Sequence, residues 1–235
     1  AANALLGPGF AASAMLPITV AVAVRVPQKT ALALGIVSVG SSVGALLLAP
    51  LAQAAIDAVG WRGAYGFMAM LIVLTPIPCL LFALPRGPLR RDGAGSGVRP
   101  RLDLAGELRR PGVLRLCGVM VLPGLVSFGV NVHMVPLLTD RGHSAAFAAS
   151  VLGATIGVSA LGKLSGGALG DRLGAIATLR AALLFKAIAI GVLALASSTA
   201  AVAVFVVTDG LAVGAQIAVM PVIALSILGR ERFAT

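Results

Sequence analysis

The fold is decided by the stretch Gly162-Lys163-Leu164-Ser165-Gly166-Gly167-Ala168-Leu169-Gly170-Asp171-Arg172-Leu173-Gly174. Apolar runs flank this stretch on both sides, over residues 145–160 and 175–196. Runs of this length approach the roughly 20 residues that a helix needs to cross a bilayer. A charged, glycine-spaced turn between two such runs is typical of a bend between membrane helices. We therefore expect a membrane hairpin whose charged turn lies at the membrane surface.

The composition of the whole chain is that of a membrane protein. Of its 235 residues, 59% are hydrophobic and 11% are charged, whereas soluble domains have about 25% charged residues. The net charge of +10 does not indicate nucleic-acid binding, because the positive residues lie between apolar runs. The single Trp and single Tyr are also too few for base stacking. Cys79 and Cys117 lie inside apolar runs, so we expect free thiols and no metal centre.

Seven segments are long and apolar enough to span a bilayer. Each must be a helix, because lipid offers the backbone no hydrogen bonds and the alternation typical of a barrel strand is missing. We therefore predict an all-α polytopic membrane protein. The predicted spans lie near residues 4–24, 31–56, 63–84, 113–138, 145–169, 175–197 and 201–228.

The positive residues give these spans an orientation. Of the 18 Lys and Arg residues, only Arg62 and Arg141 fall on one side, while Lys186 lies within a span and the others share the opposite side. Since positive charge is retained in the cytoplasm, the first predicted span runs from outside to inside. The positive side includes residues 85–112, a linker rich in Arg, Pro and Gly that we predict to be cytoplasmic. This linker is either a solvated connector or a surface helix on anionic lipid.

Part of the opening stretch, Gly167-x-Leu169-x-Asp171-Arg172-x-Gly174, resembles the signature inner loop of the major facilitator superfamily of secondary transporters. Residues 31–36 and 60–65 are similar to the fifth and sixth spans of its monocarboxylate-type branch. The resemblance implies a twelve-helix fold, in which a long cytoplasmic loop joins two six-helix halves.

An internal repeat agrees with that fold. When Pro17 in the first predicted span is aligned with Pro221 in the seventh, a methionine lies shortly before each proline, and basic residues follow both. Parallel repeats relate the two halves of such transporters, so the seven spans would be the fourth to tenth of twelve. The chain begins without Met inside an apolar run and is interpreted as a fragment. The implied domains are the last three helices of the N-terminal half at 1–84, the linker at 85–112, and the first four helices of the C-terminal half at 113–235.

The resemblance also implies a function. It predicts secondary active transport of a small solute, an organic anion such as a monocarboxylate, by alternating access, as a symporter or antiporter in the inner (plasma) membrane. The implied partners are the lipid bilayer, the solute and a coupled proton or other ion, with no cofactor and no nucleic acid, and a monomer is the implied working unit. The alternative is a seven-helix receptor or light-driven pump. An enzyme is not expected, because the sequence shows no paired carboxylates, metal cluster or nucleophilic triad.

The same resemblance assigns roles to polar residues within the spans. Lys163 takes the place of a substrate-facing arginine in related carriers, and Ser159 lies one turn before it. The alternative for Lys163 is a side chain that snorkels to the inner surface. The other candidate substrate-binding residues interrupt spans that line the central cavity in the family: Asn131, His133, Asp209 and Gln216. The alternative for each of them is a polar group that only packs between helices. The predicted gating loop consists of Gly167, Asp171, Arg172 and Gly174.

Charged and small residues support three local predictions. Asp171 is expected to cap the span that follows it, leaving Arg172 to reach the neighbouring half. Lys186 is expected to snorkel to the membrane surface. Glycines spaced four residues apart predict close helix packing, or a sliding contact between the second and fifth spans. These pairs are Gly40 with Gly44, Gly153 with Gly157, Gly162 with Gly166, and Gly210 with Gly214.

Overall fold

The structure is a computed structural model that describes residues 25–75, 111–196 and 198–228, together with residues 19 and 22. Over these residues the secondary structure is helical, with no strand among them. The helices are α1 (Thr30–Leu74), α2 (Pro111–Asp140), α3 (Ala145–Leu173), α4 (Ala175–Leu195) and α5 (Thr199–Leu228).

Five stretches of these helices are long and apolar enough to cross a membrane, and they overlap five predicted spans. Their bounds are Thr30–Leu48, Cys117–Asp140, Ala145–Leu173, Ala175–Leu195 and Thr199–Ile227. The first predicted span lies outside the described residues except for residues 19 and 22, and the third is described only as far as residue 75. The all-helical class is confirmed for the described residues, whereas the count of seven spans stays a prediction.

The described residues belong to two compact units. One contains residues 25–46 with α2, α3, α4 and α5, and the other contains residues 47–75. In the second unit, Gly60 breaks α1 with φ 72° and ψ 170°, a backbone conformation that glycine adopts without strain. The sequence predicts a short connection here between the second and third spans. The structure makes the change of direction at this single residue.

The glycine-rich stretch between the predicted fifth and sixth spans is helical almost to its end. α3 continues through Leu173, and only Gly174, with φ 91° and ψ 144°, separates it from α4. The predicted hairpin is present, but the charged loop expected over residues 167–174 is part of a helix. The glycines before Gly174 allow close packing rather than bending of the chain.

α3 is packed closely on two sides, against the N-terminal part of α1 and against α5. A Cβ atom at Gly167 would lie 2.6 Å from the carbonyl oxygen of Ala31, and one at Gly162 would lie 2.5 Å from that of Leu211. A Cβ at Gly214 would lie 2.6 Å from the backbone nitrogen of Lys163. Since nonbonded carbon atoms prefer separations of about 3.5–4.0 Å, a larger residue at these places would force the backbones apart.

The prediction of glycine packing is therefore correct for only part of the sequence pattern. The pairs at 162 and 166 and at 210 and 214 lie against neighbouring backbone or Val158. Among the described residues, no neighbouring atom lies within 4 Å of a Cβ built at Gly40, Gly44 or Gly153. The difference arises because a glycine pair permits close approach of two helices, but close packing occurs only where a neighbouring helix lies against the pair.

Two apolar clusters join the helices of the first unit. One lies where the end of α4 meets the start of α5, and the other lies where the start of α4 meets the end of α5. The first consists of Met134, Leu138, Ala148, Val151, Ala189, Leu193, Ala196, Val202 and Phe205. The second consists of Leu179, Val219, Ile223 and Ala224. Many large apolar side chains outside these clusters are exposed, such as Leu122, Leu125 and Phe128 on α2, as expected of surfaces in contact with lipid.

Arg141, in the turn between α2 and α3, caps the C-terminus of α4. Its Nη1 donates to the carbonyl oxygens of Leu193 (2.7 Å) and Ala196 (3.1 Å), and its Nη2 donates to that of Ala194 (2.9 Å). The last carbonyls of a helix have no partner within the helix and carry the negative end of its dipole. The guanidinium therefore fixes the end of α4 against the turn between α2 and α3.

Candidate functional site

Lys163 is the central polar residue of the contact between α1 and α3. Its side chain is 3% exposed, and its ammonium donates to the carbonyl oxygen of Ser38 (2.9 Å), to Ser41 Oγ (2.8 Å) and to Ser42 Oγ (2.7 Å). All three partners are uncharged and lie on α1. The side chain therefore crosses to the neighbouring helix and does not snorkel to a membrane surface.

The three serines lie on one face of α1. Their spacing of three and four residues places their side chains on adjacent turns of the same helix face. Four residues before Lys163 on α3, Ser159 Oγ lies 3.1 Å from Ser42 Oγ. The structure thus brings two of the predicted site residues, Lys163 and Ser159, into one hydrogen-bonded group with α1.

On the side of this group that leads toward Asp171, the backbones of α1 and α3 are in close contact. A Cβ at Gly35 would collide with the carbonyl oxygen of Lys163, and one at Gly167 would lie 2.8 Å from the Cα of Leu32. We call this contact, between residues 30–42 of α1 and residues 159–171 of α3, the α1–α3 seam. In the seam, small residues allow the helices to approach and one ammonium is enclosed between them.

Asp171 closes one end of the seam. Its Oδ1 accepts a hydrogen bond from the backbone N–H of Ala31 (3.0 Å), and its Oδ2 accepts one from that of Leu32 (2.9 Å). These N–H groups belong to the first turn of α1, where they have no partner within the helix and the dipole favours a negative charge. The carboxylate therefore holds the last turn of α3 against the first turn of α1.

The expectation that Asp171 caps the following helix is wrong. Asp171 lies in the last turn of α3, and the N-cap of α4 is Gly174, which has no side-chain hydrogen bond. The physical principle behind the expectation holds, but it applies to a helix that is distant in the sequence. Arg172 lies exposed in the last turn of α3, where its charge is favourable to the C-terminal end of the dipole.

A second buried charge pair joins α4 to α5. Lys186 Nζ lies 2.8 Å from Asp209 Oδ1, and the two side chains are 4% and 3% exposed. The expectation that Lys186 snorkels to the surface is therefore wrong, because a carboxylate on the adjacent helix offers it a partner within the span. The pair lies between the two apolar clusters, so it is enclosed by protein along both helices.

The remaining predicted site residues are placed separately. Asn131 and His133 are exposed on α2, and His133 borders an open groove between α2 and α4. Gln216 is buried on α5. Lys163 makes its three side-chain hydrogen bonds to α1 alone, so the predicted site residues do not form a single cluster in this conformation.

The serines of α1 were not identified from the sequence as partners of Lys163. Their spacing on one face of an apolar helix could have indicated a polar site. The pairing of Lys186 with Asp209 was not predicted either. Opposite charges inside neighbouring spans suggest such a pair, because an unpaired charge in a membrane is costly. The capping of α4 by Arg141 has no comparable signal, since it depends on how two turns meet.

The comparison with protein families agrees with these observations. A model described as Major Facilitator Superfamily matches residues 5–235, and no curated protein matches the chain. That superfamily consists of membrane transporters and not of enzymes, which fits the long apolar helices and the multi-pass arrangement. It also favours a transporter over a seven-helix receptor or light-driven pump. The chain therefore belongs to the Major Facilitator Superfamily.

Proposed function

We propose that this protein is a secondary active transporter that moves a small organic anion, such as a monocarboxylate, by alternating access. The observation that supports this most strongly is the enclosed ammonium of Lys163, whose hydrogen-bond partners are all neutral oxygens. An ionised side chain inside a membrane span is costly and is a functional-site hypothesis by default. A carboxylate would be a stronger partner than a hydroxyl or a carbonyl, because hydrogen bonds between ionised groups are the stronger ones.

The remaining parts of the proposal concern the other polar residues. Ser159 would contact the anion beside Lys163, since both belong to one hydrogen-bonded group. Asn131, His133, Asp209 and Gln216 are proposed to approach the solute in another conformation of the cycle. The transporter would work as a monomer in the inner membrane, as a symporter or antiporter with a proton or other ion. The linker over residues 85–112 would be cytoplasmic and would join the two halves.

Replacement of Lys163 tests the proposed site. In the full-length protein reconstituted into liposomes, Lys163→Gln should abolish uptake of a labelled monocarboxylate such as lactate, because the amide has no charge for the anion. Lys163→Arg should retain part of the uptake, since it keeps the charge but changes the geometry of the donors. Membrane yield should stay near that of the wild type for Lys163→Arg. Wild-type uptake by Lys163→Gln would remove Lys163 from the substrate site.

Asp171 is proposed to act as the latch of the gate. With the linker placed in the cytoplasm, Asp171 lies near the inner surface, so its bonds to α1 would hold the inner side closed. Alternating access requires that these bonds break when the inner side opens. The proposed gating role of Gly167, Arg172 and Gly174 follows from their places in and beside the same contact.

The change Asp171→Asn tests the latch. An amide can accept from one of the two N–H groups of α1, but its NH₂ group would face the other and the negative charge is lost. Loss of a helix N-terminal cap costs about 0.5–2 kcal/mol, so we expect the ratio of closed to open protein to fall by roughly 2- to 30-fold and transport to slow. The measurement is the labelling of cavity cysteines from each side. Asp140→Asn is the control, because Asp140 is exposed at the end of α2.

An unchanged ratio of inside to outside labelling in Asp171→Asn, together with normal uptake, would reduce Asp171 to a structural cap. Reduced membrane insertion without a change in that ratio would lead to the same conclusion.

A further inference from the structure

The hydrogen-bonding capacity of Lys163 is completely used in this conformation. A lysine ammonium has three N–H donors and no acceptor. The three donors are directed at Ser38, Ser41 and Ser42, at 2.7–2.9 Å. No donor is left for a further ligand, so a substrate can bind Lys163 only by replacing one or more of these oxygens.

The serine hydroxyls are arranged so that they can accept from the ammonium. Ser41 Oγ donates its hydrogen to the carbonyl oxygen of Ser38 (2.7 Å), and Ser159 Oγ donates its hydrogen to that of Ile156 (2.7 Å). Since a hydroxyl has one hydrogen, Ser159 must accept in its 3.1 Å contact with Ser42, and Ser42 is the donor there. The oxygens of both Ser41 and Ser42 are then available to Lys163, and the network is consistent throughout.

The position of the network ties it to the separation of the two helices. Lys163 is on α3 and its three partners are on α1, so the bonds exist only while the seam is closed. The backbone of Lys163 touches α1 at Gly35, and its side chain is 3% exposed with all three donors in use, so an anion reaches the ammonium only after the helices separate. Binding of an anion at Lys163 and closure of the seam at this depth therefore exclude each other.

We propose that Ser41 and Ser42, with the carbonyl of Ser38, form a polar lock that holds Lys163 and must release it before the α1–α3 seam opens. The serines are positioning residues: they supply the ammonium with neutral oxygens when no anion is present, and so stabilise the closed seam. This inference rests on the proposed alternating access. It identifies the residues that control when the ammonium of Lys163 becomes available to the proposed anion.

The lock predicts a specific effect of serine substitution. Ser41→Ala and Ser42→Ala, singly and together, should raise the population with an open seam. A hydrogen bond to a charged group is worth about tenfold or more in an equilibrium constant, so we expect roughly a tenfold rise for each single variant and a larger rise for the double variant. Ser41→Thr should behave as the wild type, because it keeps the hydroxyl and Ser41 is exposed enough to accept a methyl group.

The measurement is the distance between spin labels on cysteines at positions 29 and 173, in a full-length background that lacks Cys79 and Cys117. Lys29 and Leu173 are both exposed and lie beside the contact between Asp171 and the start of α1. Ser165→Ala is the matched control, because Ser165 is an exposed serine of α3 whose hydroxyl bonds only within its own helix. The label pair should show longer distances in the alanine variants at positions 41 and 42, and wild-type distances in the control.

A double-mutant cycle separates the lock from a general loosening of α1. Lys163→Met should lengthen the distance by itself, and addition of Ser41→Ala and Ser42→Ala to it should then change nothing further. Additive effects in this cycle, or unchanged distances in the serine variants, would overturn the lock.

Titration with lactate tests the proposed function separately. If lactate lengthens the distance at lower concentration in the serine variants than in the wild type, the anion and the serines compete for Lys163. If the cycle shows coupling between the serines and Lys163 while lactate, acetate and succinate leave every distance unchanged, the lock stands and the proposed carboxylate substrate is rejected.

Discussion

Asp209→Ala is expected to be among the most damaging single substitutions in the described part of the chain. It would leave the ammonium of Lys186 buried without its partner at 2.8 Å. Removal of one member of a buried ion pair costs about 3–5 kcal/mol. Inside the membrane, no water is present to hydrate the unpaired ammonium. We expect a low membrane yield. In detergent, the Tm should fall by roughly 2–4 °C for each kcal/mol of stability lost.

Two further variants identify the cause of that loss. Asp209→Asn keeps the shape of the side chain and removes its charge, so it should be destabilised nearly as much as Asp209→Ala. The double change Lys186→Met with Asp209→Leu should recover most of the stability, because apolar replacement of a whole buried pair is often neutral or stabilising. Asp140→Ala, at an exposed acid of α2, should have little effect. Equal stability of wild type and Asp209→Ala would mean that the pair contributes nothing to the fold.

The double variant also decides the proposed role of Asp209 in transport. If Lys186→Met with Asp209→Leu is stable and transports normally, the pair only joins α4 to α5. If it is stable but inactive, the charged pair acts in the transport cycle, in agreement with the proposed role of Asp209. This separation is possible because the pair lies between two apolar clusters, into which apolar side chains should fit.

The case of Lys186 shows where prediction from the sequence reached its limit. The sequence locates both charges within spans, but it does not say which faces of two neighbouring helices meet. Without that information, snorkelling to the membrane surface is the least costly arrangement for a lone lysine. The pair becomes the better arrangement only once α4 and α5 are known to pack together on both sides of it.

For Asp171, the type of interaction was predicted correctly but the partner helix was not. The sequence correctly suggests a carboxylate beside a helix N-terminus, because that is where its charge is stabilised. Two N-termini are available, that of α4 close in the sequence and that of α1 far away. The helix of α3 continues past Asp171 to Leu173, so the side chain is carried to α1 instead. The local sequence therefore predicts that the carboxylate caps a helix N-terminus, whereas the packing of the helices determines that this helix is α1.

The span positions were predictable for a different reason. Length and apolar content alone decide whether a helix can cross a bilayer, and neither depends on tertiary contacts. For that reason five predicted spans agree with the structure, while the serine partners of Lys163 could not be assigned. One face of α1 carries Ser38, Ser41 and Ser42. These serines can bind a lysine only if packing places a lysine opposite that face, and the sequence does not show which helix lies there.

Gly167→Ala is expected to force the α1–α3 seam open. The added Cβ would lie 2.6 Å from the carbonyl oxygen of Ala31 and 2.8 Å from the Cα of Leu32. Both are backbone atoms, which cannot rotate away as the tip of a side chain can. To restore ordinary separations of about 3.5 Å, the helices must move apart by roughly 1 Å.

That movement would act on the latch as well, because Ala31 and Leu32 are the residues whose N–H groups donate to Asp171 at 3.0 and 2.9 Å. A shift of about 1 Å would take both bonds beyond useful length. Overpacking costs about 1–3 kcal/mol, which corresponds to a change of roughly 5- to 150-fold in the ratio of closed to open seam. We therefore expect slow transport and strong labelling of cavity cysteines from the inside, with normal insertion.

Gly153→Ala is the matched control, since it adds the same methyl group to the same helix at a place where no neighbouring atom of the described residues lies within 4 Å. It should leave uptake and labelling unchanged. The double variant Gly167→Ala with Asp171→Asn should be less impaired than the sum of its single changes, because both remove the same contact. Wild-type uptake and labelling in Gly167→Ala would show that α1 can shift along α3 without opening the seam. In that case the close approach of the two helices would serve packing alone, and the latch would have to act through charge.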